Sequence, residues 1–177
     1  MTSYGVPQPP FLGVLMPQTR FPKLPGDVGH PASFSMPVHH RVVAGASPQR
    51  VTREGDPSLL ALPGLERPGV PTVDAASLGP ARLRAAGADP DTPVEGLQAG
   101  GHLQRTLLDD LPGPDPVEAE AEVLASAGRL LRRCPGLRSL VLECTNLPPD
   151  ADALRRSTGL PVHHLMTLVH DRWSLMT

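Results

Sequence analysis

The run Ser139-Leu140-Val141-Leu142-Glu143-Cys144-Thr145-Asn146-Leu147-Pro148-Pro149 constrains the fold more than any other stretch of the chain. A short apolar strand leads straight into a cysteine, two small polar residues and a proline-led helix start, the order of events at the carboxyl end of a strand in an open α/β sheet. Ligands in such sheets sit just beyond the carboxyl ends of the strands, so Cys144 stands where a reactive thiol would work. Thr145 and Asn146 beside it offer hydroxyl, amide and backbone donors to a carboxylate. The competing reading is a small buried hydrophobe, the usual fate of an unpaired cysteine.

The rest of the chain supports a parallel sheet. Phe11 to Met16 is an apolar run between Pro10 and Pro17 and reads as a buried strand, and Val38 to Val43 reads as a second. Gln18 to Pro37, between them, is a loop rich in Pro and Gly, long enough to suggest that it lines a site. Asp56-Pro57-Ser58-Leu59-Leu60 starts a helix that Pro63 and Gly64 stop early. Val70 to Val73 is a strand in which Pro71 cannot donate to a ladder, which predicts a place at the sheet's edge. A short helix from Pro80 to Ala86 closes at Gly87, and Val94 to Leu97 is another strand. The clearest helix covers Pro116 to Arg133, with Val117, Ala121, Leu124, Ala127 or Gly128, and Leu131 on one face. After the Ser139–Leu142 strand come a helix from about Asp150 to Thr158 ended by Gly159, a strand at Pro161 to His164 and a terminal helix toward Trp173. Strands alternating with helices through the second half argue for βαβ units.

Composition excludes several classes of function. A formal net charge of −2 and scattered arginines give no basic face for nucleic acid or an anionic membrane. Arg129, Arg132, Arg133 and Arg138 come nearest to a patch, and arginines in the last turn of a helix are explained by its macrodipole. No leader-like segment opens the chain and no run approaches the ~20 apolar residues that span a bilayer, so a cytoplasmic protein is expected. Cys134 and Cys144 supply neither a disulfide framework nor zinc-ligand spacing. His39-His40 and His163-His164 are adjacent pairs whose members point to opposite faces of a strand, which makes chelation of one ion difficult. One of His163 and His164 lies close enough to the strand end to serve as an acid or base. No serine elbow or phosphate loop is present.

Leu142-Glu143-Cys144-Thr145-Asn146-Leu147-Pro148-Pro149, followed by Ala151-Asp152-Ala153-Leu154 and Thr158-Gly159-Leu160-Pro161-Val162, resembles the second-cysteine segment of the aspartate/glutamate racemase family. Gly13-Val14-Leu15-Met16, Thr19-Arg20-Phe21-Pro22 and Pro25-Gly26-Asp27-Val28-Gly29-His30-Pro31 look like its amino-terminal strand and loop. Val73-Asp74-Ala75-Ala76-Ser77-Leu78 resembles the entry to its second lobe. The resemblance implies an α/β fold of two lobes with parallel sheets related by a pseudo-twofold, no cofactor, and a small carboxylate or amino-acid substrate held between two opposed cysteines. It also implies carboxylate contacts from Thr19, Thr145 and Asn146, with Cys144 as the catalytic thiol. The chain departs from the pattern between Leu60 and Val70. There Ala61-Leu62-Pro63-Gly64-Leu65-Glu66-Arg67-Pro68-Gly69 replaces at least one βαβ unit, on the order of 30 residues or more, and the first cysteine goes with it. Cys134, just before Pro135 at the end of the long helix, does not replace it.

The expected organisation is then an incomplete first lobe from residues 1–62 with 161–177, a junction at 63–69, and a second lobe over 70–160 carrying Cys144. The expected activity is that of an amino-acid racemase or related isomerase, impaired because inversion needs a base and an acid on opposite faces of the carbon. Two alternatives are a one-cysteine decarboxylase resembling the arylmalonate type and a silent carboxylate-binding module. The cut edges of the first lobe leave homo-oligomerisation open.

Overall fold

A computed structural model describes residues 12–17, 25, 30–36, 38–43 and 62–174. The first two strands, β1 (Leu12–Pro17) and β2 (Val38–Val43), pair in parallel with Leu12 opposite Val38 and Pro17 opposite Val43. A 3-10 turn at Pro31–Ser33 lies in the connection between them. The second sheet is built from β3 (Pro68–Thr72), β4 (Val94–Gly96), β5 (Ser139–Val141) and β6 (Val162–His163), all parallel, in the order β4-β3-β5-β6. Its helices are α1 (Pro80–Ala85), α2 (His102–Leu108), α3 (Pro116–Arg133), α4 (Ala151–Thr158) and α5 (Leu165–Ser174). The α/β class inferred from the strand–helix alternation is what the molecule has. The segment 161–177, grouped with the first lobe on the resemblance, contributes β6 to this second sheet.

That strand order dictates the layering. The chain steps from β3 outward to β4, then crosses back over β3 to β5, and right-handed crossovers in opposite directions place their helices on opposite faces. One face carries Leu97, Leu103, Leu107, Val123, Ala127, Leu130, Leu140, Leu142 and Leu154, from α2, α3, α4 and the strands. The other carries Leu62, Val70, Leu78, Leu83, Ala88 and Val141. Leu140 and Leu142 thus pack on the side opposite Val141, the period-2 alternation of a strand buried on both faces. Each of these fully buried leucines contributes roughly 1.5–3 kcal/mol of transfer free energy.

Local signals set the element ends. Asp115 caps α3, its carboxylate accepting from the backbone N–H of Val117 (2.8 Å) and Glu118 (3.1 Å), with Pro116 at the first helical position. Gly159 ends α4 in the left-handed region at φ 69°, where a side chain would be strained. Gly69 is needed for space: a Cβ there would lie 2.6 Å from Leu137 Cδ1 and 3.0 Å from Leu130 Cδ2, so α3 could not approach β3.

Three expectations are corrected. Pro71 lies in a central strand, fully buried between β4 and β5. Alternate residues of a parallel strand serve alternate neighbours: Val70 N–H and Thr72 C=O bond toward β4, while Pro71 faces β5 and offers its carbonyl to Glu143 N–H at 3.3 Å. The proline therefore costs the ladder one donor, and the β3–β5 register, Pro68 with Ser139 and Gly69 with Leu140, does not run on past it. On α3 the buried stripe is Ala119, Val123, Ser126, Ala127 and Leu130, with Val117 79% exposed, so of the expected face Ala127 is buried while Leu124 and Leu131 pack at the margin of the core. The arginines at its end do more than answer the dipole. Arg129 Nε bonds Glu95 Oε1 at 2.8 Å and its Nη2 bonds Gly96 C=O at 2.7 Å, while Arg133 bonds both Glu95 Oε2 and Val94 C=O, pinning α3 to β4. Burial pushes the Glu95 carboxyl up, but the two guanidinium groups outweigh it and leave it below the usual carboxylate range. Among the described residues no helix is long and apolar enough to cross a membrane.

Candidate active site

The reversal of strand order between β3 and β5 marks a topological switch point, and ligands in open α/β sheets bind beyond the carboxyl ends of the strands there. Val73 and Asp74 leave β3 at this edge, and Leu142 to Asn146 leave β5. Asp74 turns back to cap the Ala75–Ser77 turn, accepting from Ala76 N–H at 3.0 Å. The β5 side forms a turn closed by Leu147 N–H to Cys144 C=O (3.1 Å), before a 3-10 turn at Pro148–Asp150 that feeds α4.

Cys144, Thr145 and Asn146 are brought together in this turn, each half-buried. Asn146 Nδ2 donates toward Cys144 Sγ at 3.7 Å, a donor available to negative charge on the sulfur. Cys144 packs against the α3/α4 side of the core. It is separated from α4 by the 3-10 turn at Pro148–Asp150, so the two prolines lead into that turn and the helix follows at Ala151, close to the start expected at about Asp150. Thr19, the remaining expected carboxylate contact, lies outside the described residues.

Glu143, quoted in the sequence motif but given no role, is the group that reading missed. Its side chain is 9% exposed and its Oε2 accepts from Thr72 Oγ1 at 2.6 Å, joining the carboxyl ends of β3 and β5 across the switch point. Burial pushes its carboxyl above the ordinary range, partly offset by the Thr72 hydroxyl and by the Arg82 guanidinium on α1. A usable signal was present: Glu143 shares strand parity with Val141, which points an acidic side chain into a buried face and demands a partner.

At the neighbouring strand end, His163 closes β6 and His164 follows it, and His163 C=O accepts from Leu142 N–H at 2.8 Å. Burial drives His164 down to about 4, with Arg155, His163 and His170 acting in the same direction and Asp152 against them. His163 is lowered too, first by burial, with Asp171 opposing and Arg155 adding. His164 Nδ1 and His170 Nε2 are buried without a hydrogen-bond partner among the described residues. No three His, Cys, Asp or Glu side chains among the described residues are grouped as a metal ion would require.

A cavity of about 620 Å³ opens at the opposite, amino-terminal edge of the sheet, lined by Leu62, Leu65, Arg67, Asp89, Cys134 and Leu137 among others. Cys134 lies there as the carboxyl cap of α3, at the other end of β5 from Cys144. The two thiols do not face one another across the switch point. Asp89 serves its own turn, its carboxylate accepting from Asp91 N–H (2.9 Å) and its backbone carbonyl from Thr92 Oγ1 (2.7 Å), so this depression reads as a consequence of loop packing and the carboxyl edge as the site.

Comparison with known proteins redirects the chemistry. No protein-family model matches the chain, and no solved structure matches it. Dimethylsulfoniopropionate lyase 5 of Emiliania huxleyi is 47% identical over 47 residues, which span 27% of this chain and 9% of that relative. A dimethylsulfoniopropionate lyase of Durusdinium sp. clade D is 24% identical over 220 positions, 86% of this chain and 70% of the relative. That alignment is longer than the 177-residue chain, so the relative carries residues with no counterpart here. The similarity is to lyases. It overturns the assignment to the aspartate/glutamate racemases, and with it the isomerase activity and the place in amino-acid metabolism. It lends no support to the decarboxylase or the silent-module alternatives.

Proposed function

We propose that this chain is a lyase of the dimethylsulfoniopropionate-cleaving kind, with Cys144 as its base. The observation that carries the reading is the similarity to two proteins bearing that name, one of them across 86% of the chain. The chemistry agrees with a chain that presents one thiol at its switch point. Elimination removes one proton from the carbon beside the carboxylate and expels a leaving group from the next carbon, so it needs one base and no acid on the opposite face. In balanced form, the Cys144 thiolate takes the α-proton, the carbon–sulfur bond breaks with its electron pair going to sulfur, and the products are acrylate and dimethyl sulfide. The thiol then returns its proton to solvent. Thr19, Thr145 and Asn146 supply the contacts to the substrate carboxylate, and Asn146 also holds the sulfur.

The test is direct. Purified protein incubated with dimethylsulfoniopropionate is assayed for dimethyl sulfide by gas chromatography and for acrylate by liquid chromatography. Release of both in equal amounts, abolished in Cys144→Ser and retained in Cys134→Ser, is expected. A cooperatively folded wild-type chain that yields neither product refutes the proposal.

A further inference from the structure

We propose that Thr72 and Glu143 form a positioning tether for Cys144, a side-chain bond across the switch point that stands in for the ladder bond Pro71 cannot donate. The β3–β5 register runs through Pro68 with Ser139 and Gly69 with Leu140 and stops there. Two residues further on, Pro71 has a carbonyl to give and no N–H, and the bond it accepts from Glu143 N–H is long at 3.3 Å. The next connection between the two strand ends is made by side chains, Thr72 Oγ1 to Glu143 Oε2 at 2.6 Å, with Thr72 2% and Glu143 9% exposed. A hydroxyl bonded to a carboxyl at this length lies in the short, charge-assisted range.

Packing alone gives no reason for these two residue types. Val70 and Val141 lie on the same face, and a Thr72/Glu143 position filled by two further aliphatic side chains would bury apolar surface without desolvating a carboxyl. Their location supplies the reason. Glu143 immediately precedes Cys144 and packs on the Val141 side of the sheet, near Arg82 of α1, whereas Cys144 packs on the opposite side against the α3/α4 cluster. Anchoring residue 143 to β3 from one face sets where residue 144 leaves the sheet on the other, and the tether itself does not touch the sulfur. Thr72 and Glu143 are therefore positioning residues and not catalytic ones.

The catalytic consequence rests on the reading of Cys144 as the base; the geometric claim does not. Two measurements in a Cys134→Ser background, which leaves Cys144 the single thiol, separate them. The first is the rate of Cys144 alkylation by iodoacetamide as a function of pH, the second kcat and KM for dimethylsulfoniopropionate. Thr72→Val is expected to displace the alkylation profile along the pH axis and to lower kcat on the order of 10- to 100-fold with little change in KM. Thr72→Ser, which keeps the hydroxyl, is expected to restore both. Thr72→Ala, which sets no new methyl against the carboxyl, repeats the test if the valine variant does not fold. A valine or alanine variant that melts earlier yet keeps the wild-type alkylation profile overturns the tether, as does a serine variant that fails to restore it. A wild-type chain that releases no dimethyl sulfide refutes the lyase reading alone, and the alkylation profile then decides the tether by itself.

Discussion

Lowering the pH through the range in which free histidine titrates should destabilise this fold, and His164 is the main cause. Burial holds its imidazole neutral, down at about 4 against an ordinary value of 6.5. A group whose pKa is depressed by folding contributes stability that is fully present above its unfolded value and is lost as the pH falls toward its folded one. Integrated over that interval, the loss is about 2 kcal/mol by pH 5 and about 3 kcal/mol by pH 4. Screening of the part of the ring that water reaches reduces the figure at pH 5 to about 1.5 kcal/mol. His163, lowered more weakly by the same burial, adds in the same direction. Glu143, whose carboxyl is raised, acts oppositely: its contribution is present below the ordinary carboxyl value and is lost as the pH rises through its folded one. Comparing wild type with His164→Phe by urea melts at neutral pH and at about pH 5 cancels that opposing term. The wild type should lose about 1.5 kcal/mol more than the variant over this interval. Equal losses in the two proteins would refute the claim that His164 is stored in the neutral form.

Two further outcomes test the packing. Glu95→Ala leaves Arg129 facing β4 without its carboxylate, and since Arg133 is half in water the cost should be about 2 kcal/mol, read as a lower urea midpoint at unchanged slope. Gly69→Ala puts a Cβ within 2.6 Å of Leu137 and should destabilise by about 2 kcal/mol, measured by thermal melting.

Elements announced by an interruption of pattern were the legible ones. The bounds Pro116–Arg133 follow from a cap, a first-turn proline and a proline beyond the end, all local effects that tertiary packing rarely overrides. Helix α2 gave no such notice: it starts directly after Gly100-Gly101 and is too short for its period to stand out. Its stability comes from contact, with Glu122 of α3 accepting Leu103 N–H at 3.0 Å and Gln104 Nε2 bonding Val73 C=O at 3.1 Å. Pro71 misled for a different reason. A missing donor removes one bond on one side of a ladder, and the sequence does not say that the carbonyl of Pro71 and the bonds of Val70 and Thr72 keep the strand central. The candidate site was half legible in the same sense. Cys144 announces itself at a strand end, whereas the Thr72–Glu143 bond joins residues 71 positions apart and exists once the strand order is fixed.

The proline and the buried glutamate can be understood together. A continuous β3–β5 ladder would hold the two strand ends at ladder spacing past Thr72, closing the edge at which a ligand in this sheet must enter. Ending the ladder at Pro71 frees that edge but removes the restraint on the residues after β5, the ones that carry the thiol. A buried hydroxyl–carboxyl bond restores the restraint without rebuilding the ladder, at the cost of desolvating Glu143. The fold therefore concentrates two local irregularities, a central-strand proline and a carboxyl displaced from its ordinary range, beside the end of β5 that leads into Cys144, the arrangement from which the proposed role of that thiol is argued.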